Sequence, residues 1–140
     1  MARGRVDTDY ARDVRIEVEG KPELLASADR AFRGDASRWN PEDMLLAALS
    51  ECHLLSYLHA CVQAGVVVTA YTDEATGVMR EDGKGGGAFA EVMLRPRVTV
   101  ADASMIPAAQ SAHVAANRMC FIANSVSFPV HHEPVITAAA

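Results

Sequence analysis

Cysteine is scarce in this chain, and so are aromatic side chains and clustered positive charge. Three cysteines in 140 residues are too few, and odd in number, for the disulfide framework of a small secreted domain, so they are expected to be free, catalytic or metal-binding in a reducing compartment. Aromatic residues make up 6% of the chain, and neither the single Trp39 nor the six methionines form an ordered stripe, which leaves them as packing residues. The 13 Lys and Arg are scattered within a net charge of −5, which excludes the concentrated basic surface that displaces counterions from nucleic acid. No run of about eighteen apolar residues occurs. The opening Met1-Ala2-Arg3-Gly4-Arg5-Val6-Asp7-Thr8-Asp9 puts acidic and polar residues where a signal peptide has its apolar stretch. No membrane segment is therefore expected, and the protein is read as cytoplasmic.

What is present is enough apolar material, 50% of the residues, to bury one core, so residues 1–140 are expected to form a single domain. Val14-Arg15-Ile16-Glu17-Val18-Glu19 alternates apolar and charged residues as a half-buried strand does, and Gly20-Lys21-Pro22 ends it. The stretch from Ala26 to Trp39 lacks periodicity and is read as a loop. Asn40 is an N-cap, Pro41 suits the first helical position, and Glu42 with Asp43 complements the positive helix end, so a long helix is predicted from there to about Gln63, with Gly65 as its stop. Two strands, about Val66–Met79 and Ala88–Val100, flank the hairpin loop Glu81-Asp82-Gly83-Lys84-Gly85-Gly86-Gly87. That glycine-rich loop leads into strand rather than helix, which argues against a phosphate cradle. A second helix, about Met105–Met119, follows a cap at Asp102 or Ser104, and a last strand runs near Ser127–Ile136. Mostly antiparallel pairing makes the class α+β.

Cys52 lies inside the first helix and Cys120 at the end of the second, so only folding brings the two sulfurs together, and their contexts suggest a redox pair. Cys52 is too far along its helix for the dipole to lower its pKa, and an apolar environment raises it, so a neighbouring cation is expected to hold the thiolate. Without one, Cys52 is an inert core cysteine. Glu42 is about 80° around the axis and ~15 Å along it from Cys52, so it acts either as a favourable first-turn charge or by orienting an arginine that reaches the thiolate. Metal ligation fits poorly. Cys52 with His59, and His113 with Cys120, stand about 10.5 Å apart along a helix, too far to share one ion, and no CxxC or HExxH is present. Cys61 is about 13.5 Å along the helix from Cys52 by Cα, beyond disulfide reach, and is read as core filler.

The residues Asn40-Pro41-Glu42-Asp43-Met44-Leu45-Leu46-Ala47-Ala48-Leu49-Ser50-Glu51-Cys52-His53, with Met119-Cys120-Phe121-Ile122-Ala123-Asn124-Ser125, resemble those of the OsmC/Ohr family of osmotically inducible and organic hydroperoxide resistance proteins. The similarity runs from about Tyr10. Ala31-Phe32-Arg33-Gly34-Asp35 and Leu94-Arg95-Pro96-Arg97-Val98 look like the OsmC-like subgroup, and Phe121 stands where Ohr proteins have Pro. The resemblance implies an intertwined α+β homodimer of OsmC-like fold, with a mostly antiparallel sheet, two main helices and sites at the subunit interface; against it, most of the family's first strand is expected to be missing. It further implies that Cys52 is the peroxidatic cysteine, Cys120 the resolving one, and Glu42 the carboxylate that holds an active-site arginine, Arg12 or, failing that, Arg33.

The function so implied is a thiol-dependent peroxidase that reduces organic hydroperoxides through a Cys52 sulfenic acid and a Cys52–Cys120 disulfide. No cofactor or metal is expected. A dithiol, such as a lipoyl group or a small thiol protein, would reset the disulfide. One rival is a stress-associated binding dimer of the same fold without turnover. Another is a cysteine hydrolase using Cys52 and a histidine base, disfavoured because His53 is about 100° around the helix from Cys52 and no strained nucleophile turn is visible. Phe32, Trp39, Leu49 and Phe121 are candidates to line the approach to Cys52.

Overall fold

The computed structural model describes residues 11–140. The leader reading of Met1–Asp9 and the start of the resemblance at Tyr10 lie outside the described residues. The chain forms two compact units, one up to Leu45 and one from Leu46 to Ala140.

In the first unit, strand β1 (Val14–Ile16) pairs antiparallel with β2 (Leu24–Ala26). β1 is shorter than its alternation predicts because the chain turns at Gly20, whose φ is +81°, and the Lys21 N–H donates back to the Val18 carbonyl at 3.0 Å. The loop expected from Ala26 onward is more ordered than its composition suggests. Asp29 accepts the Ala31 N–H at 2.8 Å and starts a 3₁₀ turn at Arg30–Phe32. The Ser27 N–H then donates to the Trp39 carbonyl at 2.7 Å. Asn40 caps the long helix α1 (Pro41–Gln63) as expected, its Oδ1 accepting the Asp43 N–H at 2.8 Å.

The second unit takes up α1, which closes in a Schellman arrangement: the Gly65 N–H donates to Val62 and the Val66 N–H to Cys61, with Gly65 at φ +72°. Each of the two long strands expected next is split in two, giving β3 (Val68–Asp73), β4 (Thr76–Glu81), β5 (Gly87–Leu94) and β6 (Pro96–Val100). β3 pairs antiparallel with β6, and β4 with β5. The split has a specific cause. Asp73 accepts the Arg95 backbone N–H at 2.6 Å and the Ser50 hydroxyl at 2.5 Å, so the ladder is replaced by a side-chain acceptor where the hairpin passes from one sheet to the other. Helix α2 (Ile106–Met119) follows a 3₁₀ turn at Ala103–Met105 capped by Asp102. A four-residue helix α3 (Phe121–Asn124), absent from the sequence reading, comes next. The final strand is also split, at Glu133-Pro134, where proline lacks a ladder N–H. Its halves, β7 (Val130–His132) and β8 (Val135–Ala138), run parallel to β5 and β6. Two three-stranded sheets result, ordered β3-β6-β8 and β4-β5-β7.

The core gathers Tyr57, Ala60 and Cys61 of α1, Val98 and Val100 of β6, and Ala109, Ala112 and Ala116 of α2. α1 is long and apolar enough to cross a membrane by length and composition, although Glu51 and His53 interrupt its apolar run. One side of it, Leu49, His53, Tyr57, Ala60 and Cys61, is buried within the protein, as in the core helix of a globular domain.

Candidate active site at the two cysteines

Residues 49, 53, 57 and 60 recur at helical spacing and define the buried stripe of α1. Cys52 sits about 60° to one side of Leu49 and 100° from His53, which puts it on the border of that stripe, half-buried. Cys120 is 1% exposed. It ends α2, its N–H donating to the Ala116 carbonyl at 2.9 Å, then leaves helical geometry at φ −70°, ψ 109° and caps α3, its Sγ accepting the Ala123 N–H at 3.4 Å.

The two thiols are close enough to act on each other's ionisation. Burial opposes ionisation of Cys52, but the Ile122 N–H, the Cys120 thiol, the Phe121 N–H and the Ser56 hydroxyl around its sulfur favour the charged form, and together they carry its pKa below the ordinary thiol value. Cys120 moves the other way. Burial, and its own hydrogen bond to Cys52, raise its pKa, so it keeps its proton and donates it toward Cys52. The groups that favour the Cys52 thiolate here are neutral, from α3, from Cys120 and from the next turn of α1. Ser56 was missed in the sequence, although its place one helical turn beyond Cys52 is the signal that finds it.

The remaining expected residues are placed as follows. Arg12 is half-buried just before β1, Arg33 is exposed with φ +66° after the 3₁₀ turn, and Glu42 is half-buried in the first turn of α1. These belong to the first unit, whereas the geometry that unites the cysteines is drawn from the second alone. Cys61 is 1% exposed, and burial raises its pKa. Of the side chains expected to line an approach, Phe121 is 81% exposed while Leu49 has no exposed surface. Among the described residues, no group of three or more His, Cys, Asp or Glu is arranged to hold a metal.

Behind the cysteines lies a buried aromatic cluster that the sequence reading did not assemble. Nε2 of His53 and Nδ1 of His113 share a hydrogen bond of 3.0 Å. Their rings are 5° from parallel. Tyr57 stacks on His113 with centroids 3.8 Å apart and donates its hydroxyl to the Ala109 carbonyl at 3.0 Å. His132 of β7 lies 5.6 Å from His53 and 6.1 Å from His113. Loss of water pushes His53 down to about 4, with the neighbouring His132 adding to the fall and Asp73 opposing it. Loss of water pushes His113 down to about 3, helped by His53 and His132. Both rings are neutral at pH 7. The Nε2 of His113 is buried without a partner among the described residues. Since a buried unpaired N–H is the costlier orphan, the network assigns the proton to Nδ1 of His113, donated to Nε2 of His53.

The OsmC-like protein family matches residues 34–134. An OsmC-like protein of unknown function from Vibrio cholerae is 32% identical, with a TM-score of 0.83 over 91% of this chain and 87% of that one. An organic hydroperoxide resistance protein from Elizabethkingia anophelis, with crystallant-derived thiocyanate bound, is 18% identical, with a TM-score of 0.71 over 91% and 90% of the two chains. The organic hydroperoxide resistance protein OsmC from Legionella pneumophila is 14% identical, with a TM-score of 0.61 over 89% and 96%; these last two likenesses establish the fold. No curated protein matches the chain. With the family matched over residues 34–134 and a 32% identical relative aligned over most of both chains, this chain belongs to the OsmC-like protein family.

Proposed function

We propose that the protein is a two-cysteine peroxidase that reduces organic hydroperoxides. The observation that carries this reading is the approach of two cysteines from separate helices: the half-buried Cys52 lies near enough to the Cys120 thiol for each to act on the other's ionisation. Membership of the OsmC-like family supports it, as do relatives of this fold that are organic hydroperoxide resistance proteins. The Cys52 thiolate attacks the distal oxygen of ROOH. The O–O bond breaks, RO⁻ takes a proton and leaves as ROH, and Cys52 becomes a sulfenic acid. The Cys120 sulfur then attacks the Cys52 sulfur, losing its proton as the S–O bond breaks. Water leaves and a disulfide forms. A dithiol, such as a lipoyl group or a small thiol protein, reduces that disulfide by exchange and is itself oxidised to a disulfide. No metal or organic cofactor takes part.

Arg12, with Arg33 as the second candidate, is assigned to holding the Cys52 thiolate and polarising the peroxide, and Glu42 to holding that arginine. Arginine suits the task because it stays charged when desolvated and binds a carboxylate bidentately. Homodimerisation belongs to the same reading. Leu55, Leu58 and Val62 are exposed on α1 at i, i+3, i+7 spacing, an apolar stripe of the kind a second helix covers. The protein is placed in the cytoplasm.

Titration of free thiols after one equivalent of cumene hydroperoxide tests the reading. Two thiols per chain are expected to disappear, with a matching loss of two hydrogens by intact mass. A chain that keeps all three thiols is a binding dimer and not a peroxidase.

A further inference from the structure

Resting on the two-cysteine reading above, we propose that the buried His53–His113 hydrogen bond is a positioning clamp that sets the approach of Cys120 to Cys52, speeding disulfide closure without touching the peroxide. His53 is the residue after Cys52 on α1. His113 lies seven residues before Cys120, about two turns or 10.5 Å back along α2. The bond at 3.0 Å therefore joins the helix that holds the first sulfur to the helix that delivers the second. Its surroundings give it leverage. The faces of α2 turned to the core are alanines, Ala109, Ala112 and Ala116, and short apolar contacts of this kind resist sliding only weakly. A directional hydrogen bond between two rings that are 1% and 0% exposed fixes the axial register instead, because breaking it strands a buried polar group. Tyr57 bolts the same joint twice, by stacking on His113 and by its bond to the Ala109 carbonyl. His132 closes the cluster from β7.

Register matters for closure because a disulfide forms only over a narrow range, with Cα atoms about 4.4–6.8 Å apart, and small misplacements cost large factors in an intramolecular reaction. Cys120 sits where α2 gives way to α3, so a shift of α2 carries straight to its sulfur.

The test separates the two steps. In His113→Phe, which keeps a ring for Tyr57 but removes the bond, Cys52 sulfenic acid formation with one equivalent of cumene hydroperoxide, read by dimedone trapping, slows far less than closure does, since Cys120, Phe121 and Ile122 act on the Cys52 thiolate only through its ionisation. Closure to the Cys52–Cys120 disulfide slows at least about tenfold, and sulfinic acid at Cys52 accumulates under excess peroxide. His113→Asn, whose amide occupies the place of Nδ1, restores closure to within about twofold. A folded His113→Phe that closes at the parental rate overturns the clamp, as does an Asn variant as slow as the Phe variant. Should His113→Phe fail to fold, His113→Gln replaces it: its amide reaches the position of Nε2 instead, so closure slower than in His113→Asn is expected and equal closure overturns the proposal. Diamide, which oxidises the dithiol without peroxide, keeps the two readings distinguishable. If peroxide drives no closure in the parental protein while diamide closure is still slowed in His113→Phe and restored in His113→Asn, the peroxidase reading fails and the clamp stands.

Discussion

At Cys52 the chain gathers hydrogen-bond donors around an atom that can carry negative charge; one residue later, at His53, it strips water from a ring that could carry positive charge. Cys52 is half-buried, two backbone N–H groups, a thiol and a hydroxyl around its sulfur favour the charged form, and its pKa falls. His53 is 1% exposed, bonded to a second neutral imidazole, and its pKa is driven down to about 4. A step of about 100° around one helix separates a site prepared for ionisation from one that forbids it. Burial acts on both, so burial alone does not mark reactivity. What distinguishes them is whether donors converge on the charged form.

Cys61 breaks the comparison most severely, because it is a thiol of the same helix on the forbidding side. Burial raises its pKa, and Tyr57 is the neighbour that works against the rise. Cys52→Ser is expected to lower organic hydroperoxide turnover by roughly a thousandfold or more, whereas Cys61→Ala leaves the rate near parental and costs about 1 kcal/mol of stability by loss of packing. Steady-state rates with a dithiol and denaturant midpoints check both. Equal loss of turnover in the two variants would mean that the lowered pKa at Cys52 does not mark the nucleophile.

The histidine side is broken by acid. His53 and His113 have folded pKa values of about 4 and about 3, below the ordinary histidine value of about 6.5. Between those limits the unfolded chain binds more protons than the folded one, so stability rises with pH. Their contribution is fully present above about pH 6.5 and is lost as pH falls toward about 4 and then 3. His132, lowered by burial and by His131, contributes in the same direction. Tyr57 and Tyr71 are raised by burial and stay neutral throughout, and the Asp73 carboxylate works the other way on His53. Urea midpoints measured from pH 8 to pH 4 are expected to fall steeply below pH 6.5. In a doubly substituted His53→Gln/His113→Asn protein, which keeps an amide bond but cannot titrate, the fall is shallower. Parallel curves for the two proteins would remove the buried pair as its source.

Much of this frame was readable from local signals. Asn40, Pro41 and Gly65 announced both ends of α1, and the glycine-rich loop announced the β4–β5 hairpin, because caps and turns are written in adjacent residues. Cys52 and Cys120 were found by residue type and by resemblance. The strand breaks were not readable, since they depend on one carboxylate, Asp73, meeting Ser50 from α1 and Arg95 from the neighbouring strand, contacts that no window of sequence contains. α3 was missed because four residues show no period. The donors to Cys52 and the His53–His113 bond depend on which helix faces meet; the only trace of the bond in the sequence is that both histidines share a stripe with apolar residues, Leu49 and Tyr57 on one helix and Ala109 and Ala116 on the other.

Asp73 offers a smaller and sharper cut, since it serves the strand switch and also faces His53. Asp73→Asn replaces one acceptor oxygen by a donor, which leaves either the Ser50 hydroxyl or the Arg95 N–H unmatched. A destabilisation of about 1–3 kcal/mol is expected. Removing the charge also withdraws the neighbour that favours protonated His53, so the folded pKa of His53 falls further and the variant loses more stability on acidification, relative to its own plateau, than the parent does. Urea titrations at pH 8 and pH 5 separate the two effects. A lower plateau with an unchanged loss on acidification would show that Asp73 is a strand acceptor alone.

The finest test returns to Cys52. Ser56 acts on the sulfur less than the Ile122 and Phe121 N–H groups and the Cys120 thiol do, and it is the one donor of the four that can be deleted without disturbing α3 or the resolving cysteine. Its hydroxyl is half-buried on the surface of α1, so Ser56→Ala strands no deeply buried group, and alanine favours the helix. What is lost is one neutral hydrogen bond to the thiolate, worth about 0.5–1.5 kcal/mol. The thiolate fraction near neutral pH therefore falls, and alkylation of Cys52 by iodoacetamide at pH 7 is expected to slow by roughly two- to tenfold, with the two rates converging at high pH where both thiols are ionised. The disulfide-forming step is unchanged, because neither Cys120 nor the His53–His113 bond involves Ser56. A pH profile of alkylation that superimposes on the parental curve would confine the hold on the thiolate to the Cys120–Ile122 segment. A slowing that persists at high pH would mean that Ser56 controls access to the sulfur rather than its ionisation.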